Sequence, residues 1–153
     1  VLPEPKELQA GRSGFLDVVE AKVGGAELKR ETKSEIRKRE THDWRYNFCA
    51  RVGRCEHCLL PASVENLCCD EIARGSGLRQ KALDKPFAFL VVRVDHHDLI
   101  QNWSRAKRLA VLYLARSTDY DLDAFHALTA RHFPDQNDVD AEVSLLLKMR
   151  SER

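Results

Sequence analysis

The sequence lacks several features that would assign a function class at once. Its net charge is only +1, so no global field draws it to nucleic acid or to an anionic membrane. Its longest apolar run, Phe87 to Val92, falls far short of the ~20 residues that cross a bilayer. Aromatics are 7% of the chain, and there is no low-complexity tract or internal repeat. The N-terminus, Val1-Leu2-Pro3-Glu4-Pro5, has no basic region followed by an apolar one, and so does not read as a secretion signal. It has no initiator Met either, which keeps a piece of a longer protein in view. Catalytic signatures are missing too: no Gly-x-Ser-x-Gly, no phosphate-cradling glycine loop and no His-Glu-x-x-His. A binding module is therefore expected rather than an enzyme.

What is present is enough for a globular fold. Hydrophobic residues are 43% and charged residues 32% of 153, too apolar for disorder. A chain of this length buries roughly two-thirds of its unfolded surface. The fold class expected is mainly α (α with minor β), a single small domain of packed helices with a cysteine-rich zinc-binding loop region.

Along the chain, residues 1–25 read as a lead-in and a short helix bearing Phe15, Leu16, Val18, Val19 and Val23, stopped at Gly24-Gly25. Residues 26–48 read as a charged, solvated helix followed by an aromatic segment. There Trp44, Tyr46 and Phe48 alternate as in a short strand or an aromatic plug. Residues 49–135 hold the cysteines and three further helices. The first is N-capped by Asp95, the second by Ser104, and the third starts at Asp121 or Asp123 and stops at Pro134. Residues 136–153 form a C-terminal helix over Val139 to Met149. Trp103 and Tyr113 are assigned to the core.

All five cysteines fall between positions 49 and 69. Disulfides of a secreted scaffold would be spread out to close loops, so the cluster and its odd count point to reduced thiols in the cytosol or nucleus. Cys55-Glu56-His57-Cys58 is a CxxC pair, and Cys68-Cys69 follows. A tight turn lets two such thiolates share a metal at ~2.3 Å, and two more complete a structural zinc site. Cys55, Cys58, Cys68 and Cys69 are the expected ligands, with Cys49, His57 and His42 in reserve. Adjacent cysteines do not easily serve one tetrahedron, so one versus two zinc ions is left open. Redox thiols and disulfides are the competing readings.

Cys55-x-x-Cys58, Leu60-Pro61 and Glu65-x-x-Cys68-Cys69-x-Glu71-Ile72 together resemble the intracellular C-terminal (ballast) domain of the ATP-gated purinergic receptor subtype seven. The likeness extends through Phe87-x-x-Leu90-Val91, the Arg105–Tyr113 helix with Arg108, and Ala130-Arg131-His132-Phe133-Pro134-Asp135. It implies a zinc-stabilised scaffold, a protein partner and guanine-nucleotide binding. Position 53 is Gly and residues 70–80 carry no cysteine, where the family has further thiols.

Two sharper readings are weighed against plainer ones. Asp95-His96-His97-Asp98 suggests a metal cluster, but neighbouring helical histidines point roughly 100° apart, so solvated side chains beside a cap are preferred. Arg37, Lys38, Arg39, Arg45, Arg51 and Arg54 form a basic stretch suited to phosphate contacts, with Trp44 and Tyr46 available to stack on bases. A helix laced by ion pairs accounts for the same residues. Nucleic-acid binding is the alternative function.

Overall fold

The computed structural model describes residues 29–153, and Thr32–Arg153 form one compact unit. The expected short helix over Phe15 to Val23 lies outside the described residues. Within the described residues six α-helices surround a two-stranded sheet, so the fold is mainly α with minor β.

Helix α1, Lys33–Val52, starts at a capping box in which Thr32 Oγ1 accepts from the Glu35 amide and Glu35 accepts from the Thr32 amide. It stops at Gly53, whose φ of 65° is the left-handed conformation that glycine adopts without strain. The helix runs straight through the aromatic segment, which corrects the strand reading. Trp44 and Phe48 are four apart, stack at 4.9 Å and face the core, whereas Tyr46 is 47% exposed on the other side. A spacing of four fits both periodicities, and the intermediate residue separates them.

Strands β1 (Leu67–Glu71) and β2 (Phe89–Arg93) pair antiparallel, with Leu67 opposite Arg93 and Glu71 opposite Phe89. Phe89 to Val92 are wholly buried, which is why the sequence shows a continuous apolar run there rather than alternation. The connection carries the one-turn helix α2 (Leu78–Lys81) and a 3-10 turn at Pro86–Ala88.

After β2 a 3-10 turn, Val94–His96, leads into α3, His97–Ile100. The expected cap by Asp95 is not made. Asp95 instead takes two hydrogen bonds from Arg93 at 2.9 Å, because it lies inside the turn and not ahead of it. Helix α4, Arg105–Ala115, is capped by Ser104, and α5, Leu122–Thr129, by Asp121. Helix α5 ends before Pro134, at left-handed Ala130, and leaves Phe133 65% exposed. Helix α6, Gln136–Ser151, starts at an Asp135–Asp138 capping box and packs on α4. Leu109 and Leu112 of α4 join Phe89, Leu90, Ile100, Phe125 and Val139 in the core. Tyr113, one residue past Leu112, is turned about 100° away. It is 41% exposed against Tyr120, contrary to its core assignment.

Candidate metal centre

Once Gly53 has ended α1, the chain folds into a closed turn that carries the CxxC pair. Arg54 bridges Pro61, the Cys55 amide donates to the Leu60 carbonyl at 3.0 Å, and the Leu59 amide donates to the Cys55 carbonyl at 2.8 Å. Leu59 takes a left-handed φ of 64° to complete it. The turn presents both sulfurs on one side.

This turn is seated along the outer edge of β2. The Glu56 amide donates to the Val91 carbonyl at 2.8 Å, and the Val91 amide donates to the Glu56 carboxylate at 2.7 Å. Two residues on, the Arg93 backbone amide lies close enough to Cys55 to help lower its thiol. Glu56 is fully buried and ion-paired to Arg116, the residue after α4, which also donates to the Phe89 and Pro86 carbonyls and to Asp119. Burial pushes the Glu56 carboxyl up while Arg116 pulls it down, and burial prevails. A charge desolvated this far is tolerable only with such partners.

The strand then delivers His96. Its Nδ1 lies 3.4 Å from Cys55 Sγ, and Cys55, Cys58 and His96 hold their ligand atoms within 4.8 Å of one another. A tetrahedral zinc bonded to sulfur at ~2.3 Å and nitrogen at ~2.0 Å would separate those two atoms by about 3.5 Å. The donor set and spacing therefore fit a metal ion. Burial pushes the Cys55 thiol up, but the amides of Cys58 and Arg93, with His96, bring it below its ordinary value. Burial raises Cys58. The thiolate form is what a metal requires.

The remaining candidates fall elsewhere. Cys68 and Cys69 lie on β1 and are not part of this cluster. Cys69 lies 3.5 Å from Cys49 on α1, sulfur to sulfur. Cys49 is held below the usual thiol value by that hydrogen bond, and the same bond raises Cys69. Burial pushes Cys68 up to about 11. His57 stands edge-on to His96 at 5.3 Å and to Trp103 at 5.0 Å, and burial holds it below the ordinary imidazole value. His42 is exposed on α1 beside Asp43. In the basic stretch, Arg45 pairs with Glu71, Arg51 lies over the Phe48 ring and Arg54 donates to the Ala115 carbonyl. Arg37, Lys38 and Arg39 are exposed.

Sequence reasoning missed His96. The divergence of adjacent histidines excludes joint ligation by His96 and His97, but not ligation by one of them. His97 indeed turns the other way, to Asp70 and Gln101. Glu56, Arg116 and the second buried pair, Asp70 with Arg108, gave no motif. Compared with known proteins, the chain matches no family model, no curated protein and no solved structure.

Proposed function

We propose that the chain is a zinc-stabilised protein-binding module, of the kind that its resemblance to the purinergic receptor intracellular domain implies. The observation that carries this reading is the convergence of Cys55, Cys58 and His96. Those three residues would hold the ion. Its chemistry there is to neutralise two thiolates and cross-link the CxxC turn to the segment after β2. Leu59, Leu60 and Val94, in the two segments so tied, stay 38%, 57% and 57% exposed, and they supply apolar surface for a partner. All five cysteines are free, which suits a reducing compartment. No helix of the described residues is long and apolar enough to cross a membrane.

The nucleic-acid alternative loses support, because Arg45, Arg51 and Arg54 are engaged within the fold. Elemental mass spectrometry on protein purified under reducing conditions tests the main reading. One zinc per chain, released by chelator with loss of thermal stability, is expected. A metal-free chain of unchanged stability would overturn it.

A further inference from the structure

At the C-terminal end of β1 lies a cavity of about 440 Å³, lined by Arg45, Arg74, Arg79, Asp70, Glu71 and His97 among others. Its charges are arranged around two carboxylates. Glu71 Oε1 accepts from Arg45 at 2.6 Å and from Arg79 at 3.0 Å. Asp70 accepts from Arg74 at 3.0 Å, from Gln101 at 3.3 Å and from buried Arg108. A structural network would balance one guanidinium against each carboxylate. Arg108 is spent behind the cavity on Asp70 and four backbone carbonyls, so the lining itself sets three guanidiniums against two carboxylates, a formal excess of +1.

Most of the donor capacity is also unused. Arg45, Arg74 and Arg79 each give one guanidinium nitrogen to a carboxylate, and each guanidinium has five N–H groups. The Arg45 side chain is 29% exposed, and its one bond to Glu71 is made by a terminal nitrogen. Arg74 and Arg79, 43% and 73% exposed, reach solvent at the cavity mouth.

We propose that this cavity binds a phosphomonoester, with Arg45, Arg74 and Arg79 as its donors and Asp70 and Glu71 as the posts that hold them apart. A phosphomonoester carries about −1.5 to −2 at neutral pH and offers three acceptor oxygens. Its three acceptor oxygens meet the open donors of three guanidiniums, whereas a carboxylate offers only two. Guanidinium geometry suits paired contacts to phosphate oxygens. The lining has no Trp, Tyr or Phe, and its one ring, His97, is turned to Asp70 and Gln101, so phosphate is the group for which the site has donors. This reading is independent of the metal centre.

Isothermal titration on the full, zinc-supplemented chain in a phosphate-free buffer tests it with three probes: inorganic phosphate, ribose 5-phosphate and a phosphoserine peptide. Saturable binding by at least one is expected, with the unphosphorylated peptide silent. Tighter binding of the peptide identifies a modified protein as the source of the phosphate, and equal or tighter binding of the sugar phosphate identifies a metabolite. Arg74→Gln with Arg79→Gln should weaken binding about ten-fold or more, while the ligand-free melting temperature stays unchanged. Arg79→Lys should recover part of the loss, and Arg131→Gln, outside the cavity, should bind as the parent does. No saturable binding by any probe up to about 10 mM would overturn the proposal. Unchanged affinity in the double variant would overturn it too, because the phosphate would then be held elsewhere, on the metal for instance.

Discussion

The two groups of cysteines differ in what surrounds them more than in how close their sulfurs lie. Cys55 and Cys58 sit on one closed turn, lie close to backbone amides and meet an imidazole delivered by a strand. Cys49 and Cys69 lie 3.5 Å apart, closer than many ligand pairs, but they come from a helix and a strand and share a single weak hydrogen bond. The amides lower Cys55, whereas burial keeps Cys68 in its thiol form and the Cys49–Cys69 bond favours one thiolate of that pair at the expense of the other. Proximity of sulfur is thus a poor guide to a metal site. In each pair one thiol is lowered and its neighbour raised, and what separates the two groups is a third ligand of different type, His96.

The largest effect should come from Cys55→Ser, which removes a ligand and the thiol that the Arg93 amide helps to lower. Zinc content should fall from one per chain to none, and stability by about 4 kcal/mol, or roughly 15 °C in Tm by calorimetry. Glu56→Gln should cost about 3 kcal/mol in urea unfolding, because it removes the fully buried one of the two carboxylates paired with Arg116 and leaves only Asp119. His96→Ala should weaken zinc binding about 100-fold in a competition with a chromogenic chelator, and His97→Ala should leave affinity unchanged. That contrast sharpens the comparison within one dipeptide. The smallest effect belongs to Cys69→Ala: about 1 kcal/mol at most, with zinc content unchanged. Loss of zinc in that variant would merge the two groups and defeat the distinction.

Much of the fold was legible because its signals are local. Ser104 and Asp121 cap the helices that their positions foretold, whereas the apolar run from Phe87 marked a buried segment without fixing it as a strand. The CxxC turn was legible for the same reason. What escaped notice depends on distance along the chain. His96 is 41 residues from Cys55, and Glu56 meets Arg116 across 60. Pairing of that kind is set by how β2 and α4 pack, and no spacing rule encodes it. Cys68 and Cys69 looked like ligands through their nearness in sequence to Cys58, but strand pairing with β2 fixes them on β1, outside the cluster.

The seating of the CxxC turn on β2 also bears on solubility. The first four of the five residues of β2, Phe89 to Val92, carry no polar side chain, and the outer backbone groups of Phe89 and Val91 are satisfied by Arg116 and Glu56. An uncovered strand of that composition would offer another molecule a ready template for edge-to-edge pairing. The turn therefore acts as a lid over an aggregation-prone edge, and loosening it should bring turbidity that grows with protein concentration before helix content is lost. Chelator-treated protein followed by light scattering beside circular dichroism would separate these two events.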